Sequence, residues 1–359
     1  MNTTNTETTV GPETFTKVAQ KLIPFLFLCY VVAFLDRVNV GFAKLQMQSA
    51  LGFSDVVYGL GAGMFFIGYF FFEVPSNIIL HRVGARAWIA RIMVTWGVIS
   101  GGMMFIQTET QFYVMRFLLG IAEAGFFPGI ILYLTYWFPG SRRTKVIALF
   151  MTAIAISNVI GAPVSGAIMQ YMQGMGGLRG WEWLFLLEGI PSVVVGFLVF
   201  VFLPDGPKHA PWLDEREKAF IVHEVAMDDA AKEELGKGHS LWDAFSDYRV
   251  WSLAVVYFSG VICFYAINFW MPTIIQELGV DKKDFFKVGL LSMIPWGISA
   301  VFMVIWGAHS DKTGERRWHV AGSLLITIAG LVGLSLVGHS PFPSLIALTS
   351  VSILISVSS

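Results

Sequence analysis

The sequence predicts an all-α integral membrane protein, and its composition and the arrangement of its apolar segments support that prediction. Of the 359 residues, 55% are hydrophobic and only 14% are charged, whereas an average soluble domain carries about 25% charged residues. Sixteen of the 49 charged residues lie between residues 204 and 248. This composition and a net charge of −1 argue against a soluble enzyme, a nucleic-acid-binding protein and a disordered chain.

Ten apolar runs approach or exceed the roughly 20 residues with which a helix crosses a bilayer. They lie at 22–42, 57–80, 87–106, 111–138, 143–172, 182–203, 249–275, 287–308, 318–338 and 342–359. The order is therefore six helices, one charged segment and four more helices. It predicts a polar cytoplasmic tail (1–20), a six-helix N-terminal half (21–203), a charged cytoplasmic loop (204–248) and an incomplete C-terminal half (249–359).

The short loops predict the orientation in the membrane, because loops rich in Lys and Arg stay in the cytoplasm. One side carries Arg82, Arg86, Arg142, Arg143, Lys145, Lys312, Arg316 and Arg317. The other side is poorer in basic residues, so we expect the N-terminus and the charged loop to be cytoplasmic. Residues 213–235 are expected to form one or two amphipathic surface helices in this loop. The loop is interpreted as a solvated linker, with a partner-docking site as the alternative.

Two of the basic loops have a related sequence, which indicates an internal repeat. The loop after the second predicted helix contains Arg82, Gly84 and Arg86, and the loop after the eighth has glycine and basic residues at the same spacing. Two related halves suggest a transporter with its binding site between them. The residues expected to act in conformational change are Arg82, Gly84, Arg86, Gly307, Asp311, Lys312, Gly314 and Arg316.

Four further motifs narrow the family. They are the segments 30–43 (YVVAFLDRVNVGFA), 72–77 (FEVPSN), 116–129 (RFLLGIAEAGFFPG) and 181–191 (WEWLFLLEGIP). Together with the two loops, they resemble the anion:cation symporter family of the major facilitator superfamily, in its bacterial branch of tartrate, phthalate and hydroxyphenylacetate permeases. The resemblance implies the fold of that superfamily and proton-coupled uptake of an organic acid anion. It also implies twelve helices, so the predicted six plus four suggest a C-terminal half truncated from six.

The few charged residues at membrane depth are the candidate functional residues, because a charge there needs a partner or a water-filled cavity. On the fourth predicted helix, Arg116 and Glu123 are seven residues apart, so they share one face at about 10 Å along the axis. On the first, Asp36 and Arg37 are adjacent and cannot share one direction. An acid and a base on each helix would allow paired, neutral arrangements across a cavity.

Residue chemistry and the family resemblance suggest roles for these groups. Arginine binds both carboxylate oxygens and stays charged, so Arg37 first and Arg116 second are expected to bind the substrate carboxylate. Asp36 and Glu123 are the expected proton carriers, since acids screened from water are suited to hold a proton. Further candidates for the substrate site are Asn39, Tyr30, Asn158, Tyr265 and Asn268. Glu188 is expected near a membrane interface.

The sequence thus predicts a proton-coupled importer of an organic anion that works by alternating access. Hydroxy-dicarboxylates, aromatic carboxylates and sugar acids remain open as substrates, and H+ is the expected coupling ion. We expect a monomer in the bacterial cytoplasmic (inner) membrane, with the lipid bilayer and the anion as partners. No catalytic group, metal site, cofactor or nucleic-acid partner is expected. A sensor that does not transport, or an inactive fragment, is the alternative. The spacings Gly59/Gly63 and Gly120/Ala124 predict close helix contacts.

Overall fold

A computed structural model describes residues 11–236, 245–337 and 340–353, and within these ranges the regular secondary structure is helical. The helices are α1 (Glu13–Leu51), α2 (Asp55–Val83), α3 (Ala85–Gly102), α4 (Glu109–Glu123), α5 (Phe126–Thr135), α6 (Gly140–Tyr171), α7 (Gly180–Phe202), α8 (Glu215–Gly236), α9 (Tyr248–Glu277), α10 (Phe285–Thr313), α11 (Arg317–Val337) and α12 (Pro341–Ser352). Three short 3-10 turns occupy Met103–Phe105, Met175–Gly177 and Pro207–His209.

The described residues contain nine spans that are long and apolar enough to cross a membrane, with α4 and α5 forming one interrupted span. Six of these spans precede α8 and three follow it. The predicted tenth span, 342–359, corresponds to the 12-residue helix α12, and residues 354–359 lie outside the described residues. The predicted count of six plus four is therefore wrong for the described residues. The expected truncation of the C-terminal half is not confirmed.

Several helices are longer than the apolar runs that predicted them. Helix α1 covers 39 residues, although its apolar run is 22–42. Polar residues extend it at both ends, because a helix satisfies its own backbone hydrogen bonds outside the bilayer as well as inside. Side-chain caps fix two of the starts: the Ser54 hydroxyl accepts a hydrogen bond from the Val57 amide, and Thr108 forms a capping box with Gln111.

Close helix contacts position the spans that carry the candidate site. Helix α2 packs along α4, α3 packs along α7, and α6 packs along α10. At Gly120 a Cβ atom would overlap the backbone of Phe65 on α2, so glycine is required there. At Gly59 and Gly63 a Cβ atom would meet nothing within 4 Å. The small-residue spacing therefore predicts the contact at Gly120 correctly and the one at Gly59/Gly63 wrongly.

We expect Gly120→Ala to lower the stability of the protein by about 1–3 kcal/mol, because the added methyl group forces α2 and α4 apart. The matched control is Gly63→Ala, which adds the same group on α2 in open space and favours the helix. Thermal unfolding in detergent, followed by size-exclusion chromatography, measures the difference. Equal melting temperatures for the two variants would show that the α2–α4 contact tolerates a methyl group.

In the charged loop, the described residues include helix α8 (Glu215–Gly236), which packs against the start of α1. The rings of Phe220 and Phe15 are 5.6 Å apart, and Lys17 forms an ion pair of 2.7 Å with Glu217. Near its end, the Asp228 carboxylate accepts a hydrogen bond of 2.9 Å from the amide of Gly140, at the start of α6. Helix α8 therefore contacts both α1 and α6.

We expect Asp228→Asn to weaken the contact between α8 and α6 by about 0.3–1 kcal/mol, because a carboxylate is favoured at a helix N-terminus. Hydrogen bonds from Lys232 and then from the Gly140 amide lower the pKa of Asp228. The stabilisation is therefore complete above the ordinary aspartate pKa of about 3.9 and is lost as the pH falls through the lower folded-state pKa. Hydrogen exchange of the α8 amides, near neutral pH and below pH 4, compares the stability of this contact in the original protein and in Asp228→Asn. Equal exchange rates in the two proteins near neutral pH would contradict the prediction.

Candidate functional site

An ion pair between α1 and α4 lies at the centre of the candidate site. Arg37 Nη2 contacts Glu123 Oε1, and both side chains are more than nine-tenths buried. Arg37 Nη1 donates a hydrogen bond of 2.7 Å to the hydroxyl of Tyr265 on α9. Four aromatic rings surround the guanidinium, with centroids 5.4–6.0 Å from Cζ: Phe34, Phe65, Tyr69 and Tyr265. Arg37 thus connects helices that precede α8 with one that follows it.

The helix that carries Glu123 is broken directly after it. Helix α4 ends at Glu123, Gly125 has a φ of +84°, and α5 begins at Phe126. Only glycine adopts this left-handed backbone readily, and the Ser76 side chain leaves no room for a Cβ atom. The C-terminal end of a helix carries partial negative charge. The break therefore adds to the attraction between Glu123 and Arg37.

Arg116 lies two turns before Glu123 on α4 and is completely buried. Its Nε is 3.4 Å from the carbonyl oxygen of Gly61, and Nη1 and Nη2 have no hydrogen-bond partner among the described residues. The guanidinium lies 5.0 Å from the ring centroid of Phe65 and 5.9 Å from that of Phe269. Leaving buried donors unpaired is costly, and a carboxylate would satisfy both nitrogens of the fork at once.

Asp36 points away from the Arg37–Glu123 pair, towards α3 and α7. Its carboxylate accepts hydrogen bonds from Trp96 Nε1 at 2.9 Å, from Ser100 Oγ at 2.7 Å and from Ser192 Oγ. No ion pair found among the described residues includes Asp36 or Arg116. Of the paired arrangements expected across a cavity, only Arg37–Glu123 is formed, because adjacent residues on α1 face different neighbours.

Glu188 is a third buried acid, beside Asp36 and Glu123. It lies on α7, is 4% exposed, and accepts a hydrogen bond of 2.6 Å from Ser165 on α6. Its carboxylate also faces the buried side-chain amide of Asn39 on α1. Helix α7 begins at Gly180, two turns before Glu188, and the position of Glu188 relative to the membrane interface stays a prediction. Ser192, which contacts Asp36, lies four residues after Glu188 and therefore on the same side of α7. This spacing is the sequence signal that both residues face the neighbouring helices.

The other predicted substrate-site residues are placed unevenly. Tyr265 contacts Arg37, as described, whereas the Tyr30 ring stacks on Phe150 with centroids 4.4 Å apart. Asn158 and Asn268 each donate a hydrogen bond of 2.9 Å to a carbonyl of their own helix. The Asn268 Oδ1 is buried and has no partner in the described part of the chain. The structure brings together Arg37, Glu123 and Tyr265, and it places Arg116 next to them across the Phe65 ring.

The two related loops both turn at a glycine with positive φ: Gly84 at +95° and Gly314 at +68°. In the second loop, Arg316 lies 3.8 Å from Asp311, and both are exposed. The first loop has His81 in place of this acid. There the carboxylate of Asp205, which follows α7, accepts a hydrogen bond of 3.1 Å from the Arg86 amide. Asp205 therefore supplies from elsewhere in the chain the acid that the first loop lacks.

Comparison with known proteins identifies the family. The family model described as Major Facilitator Superfamily matches residues 26–359. A "Putative tartrate transporter" of Agrobacterium vitis is 51% identical over 95% of this chain and 77% of its own length. The protein named "Putative metabolite transport protein NicT" of Pseudomonas putida is 51% identical over 87% of this chain and 70% of its own. The inner membrane transport protein RhmT of Escherichia coli K12 is 38% identical over 91% of this chain and 75% of its own length.

Solved structures show the same fold at low sequence identity. A bacterial homologue of the human lysosomal transporter Spinster has a TM-score of 0.69 at 16% identity, over 96% of this chain and 74% of that one. A D-xylose–proton symporter has a TM-score of 0.67 at 15% identity, over 94% of this chain and 80% of that one. The relatives fit the bacterial anion:cation symporter branch that the motifs predict. The chain belongs to the major facilitator superfamily, as a multi-pass membrane transporter and not an enzyme.

Proposed function

We propose that the protein imports a small organic acid anion together with protons, and that dicarboxylates such as tartrate are the substrate class its site fits. The observation that carries this proposal is the Arg116 guanidinium, fully buried with two nitrogens unpartnered among the described residues. A buried cation in this condition needs an anion. The identity of 51% to a relative named as a tartrate transporter supports an anion of that class.

The two arginines suit a substrate with two carboxylates. Arg37 and Arg116 both lie over the Phe65 ring, at 5.4 and 5.0 Å, so their Cζ atoms are no more than about 10 Å apart. A four-carbon diacid bridges such a span with hydrogen bonds of about 2.8 Å at each end. Arg116 is free to bind one carboxylate at once. Arg37 becomes free for the second only when Glu123 releases it.

Protonation of Glu123 provides this release and thereby couples proton to anion. While Glu123 is charged, it neutralises Arg37, and the site as a whole carries one uncompensated positive charge. A proton on Glu123 removes the attraction to Arg37, and the site then offers two positive charges to a dianion. Uptake of the anion and of the proton therefore depend on each other. Asp36, surrounded by three neutral donors, is the second proposed proton carrier.

We further propose the arrangement of the chain in the membrane. Residues 21–203 and 249–359 form two halves joined by the loop 204–248, with the N-terminus and this loop in the cytoplasm of a bacterial cell. The basic loops at Arg82, Arg142 and Arg316 support this orientation through their Lys and Arg content. Arg116 and Glu123 then lie on the outer and central levels of α4. Substrate reaches Arg116 when Phe269 on α9 moves away with the C-terminal half.

Counterflow and pH-jump uptake in proteoliposomes test this function. The full chain is purified, reconstituted and supplied with labelled tartrate, with succinate, nicotinate and gluconate as competitors. We expect counterflow of tartrate, stronger competition by the diacid than by the monoacids, and accumulation driven by an inward proton gradient. No carboxylate exchange by a folded, monodisperse protein would contradict transport and favour a sensor that does not transport. Accumulation driven by a sodium gradient alone would contradict proton coupling.

A further inference from the structure

The end of the helix bundle where α1 ends and α2 begins is closed by contacts between α1 or α2 and α9. The hydroxyl of Tyr58 on α2 donates a hydrogen bond of 3.1 Å to the carbonyl oxygen of Phe269 on α9. A Cβ atom at Gly41 on α1 would lie only 3.1 Å from that same oxygen. Helices α1 and α2 thus both contact the backbone of α9 at this end of the bundle, which we call the Lys44 end.

Lys44 is buried in this closed end without a full set of partners. Its side chain is 1% exposed, and its Nζ lies 3.3 Å from the ring centroid of Trp270 on α9. Asp55 Oδ1 is 3.0 Å away and forms an ion pair with Nζ, which has no other polar partner within the described residues. An ammonium group has three donors. The face of an indole attracts a cation but accepts none of these hydrogen bonds well.

Lys44 also lies on the same face of α1 as Arg37. The two residues are seven apart, which corresponds to two turns and about 10 Å along the axis. Arg116 is close to the same path, because its guanidinium contacts the ring of Phe269, the neighbour of Trp270. A path of three positive groups therefore leads from the Lys44 end to the centre, namely Lys44, Arg116 and Arg37. Residues of α9 cover Lys44 and Arg116.

We propose that Lys44 is an outer receptor for the carboxylate of the incoming anion, covered by Trp270 while the Lys44 end is closed. The direction of transport and the carboxylate rest on the proposed function above. When α9 moves away from α1, Trp270 leaves the ammonium, whose unfilled donors are then exposed to water at the outer mouth. A carboxylate takes the place of the indole and moves two turns along α1 to Arg37. Return of Trp270 requires that the anion has left Lys44.

Uptake kinetics of Lys44→Gln test the receptor, with Lys44→Arg as the matched control that keeps the charge. For Lys44→Gln we expect the KM for external tartrate to rise about tenfold and the maximal rate to change little. We also expect the decrease of uptake with ionic strength to become shallower, since a charge at a mouth steers anions. Lys44→Arg should retain both properties. Lys44→Gln with the KM and salt dependence of the original protein would overturn the proposal.

Thiol labelling tests the cover without any substrate. Met47, fully buried one turn after Lys44, is replaced by Cys in a chain whose Cys29 and Cys263 are Ser. A membrane-impermeant maleimide is then added from outside. We expect Trp270→Leu to raise labelling several-fold and Trp270→Phe to keep it low; unchanged labelling in Trp270→Leu overturns the cover. If labelling rises although no carboxylate is transported, the cover stands and the proposed substrate class is the part that fails.

Discussion

Replacing Arg37 by Ala should abolish measurable binding of the anion and uptake with it. Arg37 contacts Glu123, the proposed proton carrier, and the Tyr265 hydroxyl of α9, and it is the proposed receptor of a substrate carboxylate. Losing one partner of a buried, hydrogen-bonded charge pair costs about 2–5 kcal/mol, which corresponds to at least a roughly 30-fold weaker affinity. Equilibrium binding of labelled tartrate to the purified protein and counterflow in proteoliposomes measure the loss.

The same change also leaves Glu123 buried without its cation, so the folded protein must be checked separately. A single removal of this kind destabilises by about 3–5 kcal/mol, whereas removing both charges costs less. The double variant Arg37→Ala/Glu123→Gln is therefore the control: it should recover thermal stability and still fail to bind. Binding that returns together with stability would mean that Arg37 holds the helices together and does not contact the anion.

Replacing Glu123 by Gln should separate exchange from accumulation. Glutamine keeps the size of the side chain and the ability to accept a hydrogen bond from Arg37, but it has no proton to release. We expect counterflow of tartrate to remain within about tenfold of the original rate. The two side chains differ mainly in one hydrogen bond, and a hydrogen bond contributes about 0.5–1.5 kcal/mol. Accumulation driven by an inward proton gradient should disappear. Parallel recordings of labelled tartrate and of a pH-sensitive dye in the same vesicles measure both.

Asp36→Asn is the informative companion variant, because the two acids have different surroundings. Glu123 faces a cation, but Asp36 accepts hydrogen bonds from three donors, and the amide of Asn turns one acceptor into a donor. We expect Asp36→Asn to lose proton-driven accumulation while the ion pair between Arg37 and Glu123 stays intact. If both variants still accumulate tartrate on a proton gradient, the assignment of these acids as proton carriers is wrong.

Individual residues show how far the sequence predicts the structure. The adjacency of Asp36 and Arg37 on one helix correctly predicts that they face different partners, since helical geometry fixes the angle between neighbours. The family motifs point to Arg37 and Glu123, and the structure places them in contact. The burial of Glu188 was not predicted, because one sequence gives the position of an acid along its helix but not which side of the helix is covered by neighbours. The small-residue spacing at Gly59 and Gly63 was misleading for the same reason.

The class of this protein follows from its amino-acid sequence. Its apolar runs and sparse charges allow only membrane-spanning helices, because a backbone in lipid must satisfy its own hydrogen bonds, and its motifs define the superfamily. Which charges meet depends on how the helices pack: Arg37 pairs with Glu123, Asp36 faces α3 and α7, and Arg116 and Lys44 are buried against α9. Those outcomes depend on contacts between helices far apart in the chain, and such contacts follow from packing in three dimensions, not from local periodicity.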